Sequence, residues 1–293
     1  MSLIAQLTVN GIIAGSIYAL VASGFSLIYG TNKFIHFGHG VSVTVAAYLL
    51  FWMFSLLNIS FPFAVILTLI LSGLFGLLIN RLVYIPLQNK KASNVILLIA
   101  SLGILIFFQN LIQMLFGADV KTIGYVKVAK GMEVLGAIVT PLQVVLILTS
   151  VVLLIGLYFF MKKTKLGRKM RAVSDNKELA NVIGIDSRRV SDYSFIIGSC
   201  LAGVAGILIG LEQNLEPVMG TSLMIKGFTG SIIGGITSVP SSVLGSYIVG
   251  LVENYGIWYL PSGYKDAIAF VLLFIFLLFK PTGLFGINKG WKK

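Results

Sequence analysis

Apolar stretches of about 20 residues recur along most of this 293-residue chain. A helix of that length crosses a hydrocarbon core of roughly 30 Å. Hydrophobic residues make up 57% of the chain and charged residues only 11%, a composition that excludes an ordinary soluble domain. Alternating strands of about 10 residues, the pattern of a membrane barrel, do not occur in the sequence. The sequence therefore predicts an all-α fold, a polytopic bundle of transmembrane helices.

The predicted spans divide into long stretches and two short ones. The long stretches cover residues of about 6–29, 34–57, 61–84, 95–116, 141–161, 191–211 and 264–279. Two shorter, glycine-rich stretches, about 223–237 and 241–260, are separated at Val239–Pro240. Such a pair either crosses twice or re-enters from one side, which is tolerated where it lines a cavity. We predict about eight to nine spans, some short or broken, in one membrane domain over residues 1–293.

Lysine and arginine are distributed unevenly over the predicted loops. If the basic loop at 162–190 is cytoplasmic and every stretch crosses, 17 of the 22 residues lie inside and five outside. Cytoplasmic loops carry an excess of Lys and Arg, so the count predicts nine crossings, an outer N-terminus and a cytoplasmic C-terminus. Residues 117–140 and 212–222 are then outer loops, with a hairpin predicted to turn at Lys130–Gly131. This topology explains the net charge of +12, so no nucleic acid partner is expected.

The basic loop contains a short helix with clear boundary signals. Asp175 is predicted to cap this helix, Glu178 to complete a capping box, and Gly184 to end it in a left-handed conformation. One face of the helix is apolar and consists of Leu179, Val182 and Ile183. The residues alone leave two interpretations open: the helix docks a soluble partner, or it lies on the lipid headgroups.

The same segment resembles a known family. The run from Glu178 to Gly184 resembles the EAA-x-x-x-G loop of ABC-importer permeases, with Leu179 in place of the middle alanine. The wider pattern from Gly167 to Ile185 resembles the LivH-type permeases for branched-chain amino acids. The same resemblance is found in the segments at 226–229, 234–240, 264–266 and 281–286. In that family the helix inserts into a cleft of an ATPase subunit and passes nucleotide-driven motion to the pore.

The resemblance implies a set of residues that couple this chain to the ATPase. They are Gly167, Arg168, Arg171, Ala172, Asp175, Asn176, Glu178, Ala180 and Gly184. It also implies the partners: two ABC ATPase subunits, a second LivM-like permease chain or a homodimer copy, and a periplasmic or extracellular solute-binding protein. ATP and magnesium are expected on the ATPase subunits, with no cofactor on this chain. The implied location is the inner (plasma) membrane of a bacterium or archaeon.

Polar residues and glycines inside the spans are candidates for the translocation pathway. They are His36, Gly38, His39, Gly40, Gln109, Glu253 and Asn254. The two histidines, at i and i+3, are expected on one helix face, and with the glycines they also fit a helix-packing device. No cysteine or carboxylate cluster accompanies them, so no metal is expected. Gln109 fits hydrogen bonding between helices, and Glu253 fits either a cavity or a pair with a basic residue such as Lys265.

The chain contains no Gly-Lys dipeptide and hence no Walker P-loop, so we expect no ATP hydrolysis and no enzyme activity from this chain. We interpret the sequence as the permease subunit of an ABC importer for branched-chain or other small amino acids. Urea and short amides are the alternative substrates, taken by related permeases. An ion-coupled secondary transporter or channel is the alternative class. It predicts ion-coupling carboxylates paired across an inverted repeat, and only Glu253 is a plausible buried acid.

Overall fold

We describe the protein from a computed structural model, over residues 3–125, 131–134 and 136–285. Within these residues the helices are α1 (Leu3–Asn32), α2 (His39–Leu50), α3 (Phe61–Ile79), α4 (Ile85–Asn89), α5 (Asn94–Phe116), α6 (Pro141–Lys163), α7 (Lys165–Asp175), α8 (Lys177–Val182), α9 (Ser187–Glu212), α10 (Met219–Gly234), α11 (Val239–Gly256) and α12 (Lys265–Phe279). Two π-helical segments, Phe51–Leu56 and Asn80–Tyr84, extend α2 and α3. Strands β1 (Met132–Val134) and β2 (Ala137–Val139) form a small antiparallel hairpin. The predicted helical bundle is confirmed.

Seven helical segments of the described chain are long and apolar enough to cross a membrane. They coincide with the long stretches predicted above, except that the second begins at His39 and the third continues to Asn89. The glycine-rich pair forms α10 and α11, which pass the same test only together and are bent by 117° at the break between them. The expected spans therefore correspond to seven long segments and one bent pair.

Helices α1 and α9 form the centre of the bundle. In their apolar windows 89% and 72% of the residues are buried, against 17% in α6 and 6% in α12. The outer helices α3, α5, α6 and α12 carry large exposed apolar side chains, such as Phe63 of α3 and Ile99 of α5. This distribution suits a bilayer, because lipid replaces water around the outer layer and the polar groups are gathered inside.

Glycines bring the inner helices into backbone contact. A Cβ atom at Gly245 of α11 would meet the carbonyl oxygen of Gly230 in α10. A Cβ atom at Gly220 of α10 would likewise meet the carbonyl oxygen of Gly40 in α2. Close approach of this kind supplies much of the attraction between helices in a bilayer, where burial of apolar surface contributes little. Packing therefore explains why α10 and α11 are rich in glycine.

The bundle has two distinct ends. At one of them the last turn of α1 lies beside α7, and Ser26 of α1 donates a hydrogen bond of 2.9 Å to the carbonyl of Ile236, in the turn between α10 and α11. We name this the coupling end. At the opposite end Lys121 and Leu215 exchange backbone hydrogen bonds of 3.0 and 2.8 Å. These bonds join the two loops at 117–140 and 212–222.

The β1–β2 hairpin lies at the opposite end and holds the start of α1. The Gln6 side chain donates to the carbonyl of Ile138 at 3.1 Å and accepts from its N–H at 2.8 Å. The hairpin turns between Val134 and Ala137, where Gly136 adopts φ 81°, a conformation typical of tight hairpin turns. The turn predicted at Lys130–Gly131 includes Lys130, and because residues 126–130 lie outside the described residues it stays a prediction.

Candidate coupling and translocation sites

Helix α7 is anchored to the coupling end of the bundle. Thr164 caps it by accepting a hydrogen bond of 2.9 Å from the N–H of Gly167. Gly167 is buried, and a Cβ atom there would meet the backbone at the end of α6, so the glycine permits the sharp turn between the two helices. Met170 and Val173 pack in a cluster with Leu27 of α1. Helix α7 is thus in direct contact with the central helix α1.

Helix α8 follows α7 with a single residue between them. Asn176 caps α8 by accepting a hydrogen bond of 3.0 Å from the N–H of Leu179. The cap predicted at Asp175 is wrong by one residue, because α7 continues through Asp175 and the extended backbone of an N-cap occurs at Asn176. The predicted capping box with Glu178 does not form.

The end of α8 follows the prediction. Gly184 has φ 83°, and its N–H bonds the carbonyl of Asn181 at 3.0 Å while the N–H of Ile185 bonds that of Ala180 at 2.9 Å. This pair of bonds is a Schellman motif, which requires the left-handed residue at the glycine position. The chain then turns into Asp186, which caps α9.

The two faces of α8 differ sharply in exposure. Ala180 is 2% exposed and packs against α7 and α9. The apolar stripe on the other face is open, with Leu179 62%, Val182 82% and Ile183 72% exposed. A capped helix that presents three bare aliphatic side chains at the end of a membrane bundle is suited to fill a groove on a partner.

The surface around α8 is strongly basic. Arg168, Arg171, Asp175, Asn176 and Glu178 are exposed, and Ala172 is half-buried. The guanidinium of Arg171 donates to the carbonyl of Lys162 at 3.4 Å. Partial burial, together with the nearby Arg188 guanidinium, lowers the pKa of Lys177 below its usual range. The structure thus brings the nine predicted coupling residues into one continuous segment.

A cavity of about 420 Å³ lies at this end of the bundle, beside α7. It is lined by the end of α1, the end of α6, Met170 and Arg171 of α7, and the turn at 237–240. Val239 in this turn also packs against the α7 cluster. The coupling helices and the break between α10 and α11 are therefore neighbours across one small cavity.

His36 and His39 do not share a helix face as predicted. His36 lies in the turn before α2, and His39 is the first residue of that helix. Both are buried among α1, α2 and α9, and neither lines the two cavities described here. His36 Nδ1 shares a hydrogen bond of 2.6 Å with the hydroxyl of Tyr84, and His39 Nε2 lies 3.2 Å from the carbonyl of Val21. Gly38 packs against the His36 ring, and Gly40 against α10.

We expect Tyr84→Phe to destabilise the protein without changing its transport rate. The substitution leaves the buried Nδ1 of His36 without its partner, which costs about 1–3 kcal/mol and lowers the midpoint of thermal unfolding by roughly 2–6 °C. Tyr259→Phe is the matched control, because Tyr259 is 86% exposed. A normal unfolding midpoint with slower uptake in Tyr84→Phe would instead place His36 on the pathway.

Gln109 fulfils the predicted role of joining two helices. Its side-chain oxygen accepts a hydrogen bond of 3.1 Å from the hydroxyl of Thr221 in α10. The contact fixes α5 against the start of the bent pair, at the opposite end of the bundle.

Glu253 is fully buried and belongs to a cluster that the sequence did not reveal. Its Oε2 accepts a hydrogen bond of 2.8 Å from the hydroxyl of Tyr18 and lies 3.7 Å from Lys226 Nζ. Lys226 also forms an ion pair of 2.9 Å with Asp266. The predicted pair with Lys265 is therefore replaced by one with Lys226, which is 27 residues away on α10. The cluster ties α1, α10, α11 and α12 together inside the bundle.

A second cavity, of about 590 Å³, opens beside this cluster at the opposite end of the bundle. Tyr18 and Lys226 of the cluster line it, and so does Asn254, whose amide donates 2.8 Å to the carbonyl of Gly250. Of the predicted pathway residues, Asn254 lines this cavity and Glu253 stands directly behind it. We name it the outer cavity.

Comparison with known proteins gives the family. The profile of the family described as "Branched-chain amino acid transport system / permease component" matches residues 7–277. The chain belongs to this permease family. Within the family it is 32% identical to the BraD permease protein of Pseudomonas aeruginosa, over 96% of this chain and 95% of that one. It is 30% identical to the LivH permease protein of Escherichia coli K12, over 94% of each chain.

One relative within the family is archaeal, and one solved structure shares the fold. A probable LivH permease protein of Methanocaldococcus jannaschii is 30% identical over 97% of this chain and 92% of its own length. Among solved structures, PsaBC from Streptococcus pneumoniae in complex with Fab matches with a TM-score of 0.52 at 15% identity, over 93% and 91% of the two chains. That match supports the fold of this permease-family chain.

Proposed function

We propose that this chain is the membrane-spanning permease subunit of an ABC importer for branched-chain or other small amino acids. The observation that carries the proposal is the bare aliphatic face of α8, presented at the coupling end by a helix with both ends capped. Its relatives are named as permease proteins of branched-chain amino acid transport systems. A membrane bundle of this family requires a motor elsewhere, since the sequence contains no P-loop.

The geometry suggests how motion of the motor reaches the bundle. The ATPase would bind the apolar face of α8 through Leu179, Val182 and Ile183. Movement of the ATPase would then displace α8 and α7 together. Met170 and Val173 of α7 pack against α1, and α1 packs closely against α11. Close helix packing without bulky side chains permits small sliding movements of this kind. Nucleotide binding would thus alternate access at the two ends.

The partners follow from the same proposal. Two ATPase subunits, holding ATP and magnesium, bind at the coupling end, and a solute-binding protein docks on the loops at 117–140 and 212–222. A second permease chain, LivM-like or a copy of this one, completes the pore. The coupling end faces the cytoplasm and the N-terminus faces outward, because Arg81 and the basic segment lie at the coupling end while Lys121 lies at the other.

The docking face is tested by co-purifying the chain with its ATPase subunits, with Val182→Asp compared to wild type. A charge in the middle of the apolar face should lower the recovered ATPase by roughly tenfold or more, because a buried unpaired carboxylate costs several kcal/mol in an interface. The fold should be unaffected, since Val182 is 82% exposed in the chain by itself.

Val120→Asp is the matched control, because Val120 is 53% exposed at the opposite end. It should retain wild-type recovery of the ATPase. Equal recovery with Val182→Asp and wild type would contradict the docking face. Failure of the wild-type chain to bind any ATPase, with sodium- or proton-driven uptake, would overturn the importer itself.

A further inference from the structure

We infer that the outer cavity is a binding site for an α-amino acid in its zwitterionic form, with the side chain against the aliphatic lining and the two charged groups on lining side chains of opposite sign. This inference rests on the proposed function and narrows it, because it assigns the solute class to a site on this chain. The volume of about 590 Å³ lies within the range of small-molecule sites, roughly 300–1,000 Å³.

The cavity walls combine three kinds of surface. One wall, formed by α1 and α10, is aliphatic and contains Ile13, Ile17 and Leu223. Neutral hydrogen-bonding groups line another part, from Asn10, Gln143 and Asn254. A site with apolar walls and a few directional polar groups is the usual design for a small ligand.

Charges of both signs complete the lining. Glu212 and Glu216 come from the end of α9 and the loop that follows, whereas Lys226 and Lys265 come from α10 and the start of α12. A neutral solute such as urea forms no ion pair with these side chains, so the carboxylates and ammonium groups of the cavity would stay without a counterion from the solute. An ammonium group suits the carboxylates of Glu212 and Glu216, and a carboxylate suits the lysines.

Two of these charged side chains are free to bind. Within residues 3–125, 131–134 and 136–285, neither Lys265 nor the carboxylate of Glu216 has an ion-pair partner. Lys226, by contrast, is already held by Asp266 and Glu253. Lys265 is therefore the carboxylate-binding group, whereas Lys226, which also lines the cavity, is held by its two acidic partners.

The balance of charge favours a solute with an ammonium group. Four carboxylates lie in or directly behind the cavity, namely Glu212, Glu216, Glu253 and Asp266, against two lysines. In addition, Oε1 of the buried Glu253 has no hydrogen-bond partner in the described chain. A solute that is only an anion is repelled by this excess, whereas a zwitterion satisfies both sides.

The site can be probed with a single reporter cysteine, because Cys200 is the only cysteine of the sequence. In a Cys200→Ala background, Ser222→Cys places a thiol on the cavity wall. Thr237→Cys places a matched control thiol in the cavity at the coupling end. The full chain, assembled with its partner subunits in proteoliposomes, is labelled with a polar maleimide at increasing concentrations of L-leucine.

We expect L-leucine to slow labelling at Ser222→Cys but not at Thr237→Cys. 4-Methylpentanoate, which lacks the ammonium, 3-methylbutylamine, which lacks the carboxylate, and urea should protect far less. Lys265→Met and Glu216→Gln should each raise the half-protecting leucine concentration by roughly tenfold. Lys280→Met and Glu133→Gln, which remove the same charges outside the cavity, should leave it unchanged.

Leucine uptake by the same vesicles separates the two proposals. If leucine is taken up but does not slow maleimide labelling at Ser222→Cys, the proposed site is wrong and the importer function is unaffected. Protection that is equal for leucine and urea also overturns it. ATP-driven uptake of a solute that is not an amino acid, with neither uptake nor protection by leucine, overturns the proposed amino acid substrate itself.

Discussion

Replacing Gly245 with leucine is expected to prevent the protein from accumulating in folded form. A Cβ atom at Gly245 would meet the carbonyl oxygen of Gly230 and the backbone of Gly234, both in α10. Backbone atoms cannot rotate away as a flexible side chain can, so α10 and α11 would have to separate. Overpacking of this kind costs about 3 kcal/mol or more. The measurement is the monodisperse fraction of detergent-extracted protein on size-exclusion chromatography.

Gly103→Leu is the control that separates the effect of close helix packing from any general effect of replacing a glycine with leucine. Gly103 lies on α5 with no atom within 4 Å of the position where a Cβ would stand, and leucine is favourable toward lipid. We expect a wild-type yield of Gly103→Leu. Equal losses in the two variants would show that close packing of α10 and α11 is not the cause.

Removing the Lys226 ammonium is expected to give the second large effect. Lys226→Met leaves Glu253, which is fully buried, with an uncompensated charge. Breaking one side of a buried ion pair costs about 3–5 kcal/mol, which corresponds to a fall of roughly 6–10 °C in the thermal unfolding midpoint for a chain of this size.

The double variant Lys226→Met/Glu253→Leu should recover most of this loss, because two apolar side chains replace the buried pair and no lone charge remains. Arg189→Met provides the comparison with an exposed pair. Its partner Asp186 is 3.1 Å away, and the two side chains are 81% and 51% exposed, so no measurable shift is expected. A double variant as unstable as Lys226→Met would mean that the methionine packs badly and that charge is not the reason.

Helix α8 could be predicted in some detail because its signals are local. A stripe at i, i+3 and i+4 together with a glycine stop requires only neighbouring residues, and both features are present in α8. The predicted N-cap lies one residue before the N-cap of the structure, because Asp175 and Asn176 are both good capping residues. What decides between them is how far α7 extends, and α7 is held in place by Met170 and Val173 packing on other helices.

The interior of the bundle could not be predicted in the same way. Lys265 is the lysine nearest to Glu253 in the sequence, and it was the predicted partner. The structure pairs Glu253 with Lys226 instead, because α10 and α11 lie against each other after the bend. The position of His36 depends equally on tertiary contacts, since its turn is held by Tyr84 at the end of α3. Neither contact leaves a periodic signal in the sequence.

The ion pair between α10 and α11 also has a consequence for biogenesis. A lysine near the middle of an isolated helix costs about 2.5–3.5 kcal/mol when it enters a membrane, and α10 is only 16 residues long. Its counterion, Glu253, belongs to the next helix, α11, and only four residues separate α11 from the end of α10. If α10 and α11 enter the bilayer together, the Glu253 carboxylate neutralises the Lys226 ammonium during insertion. Helix α10 alone would insert with an unpaired lysine until α11 has been synthesised.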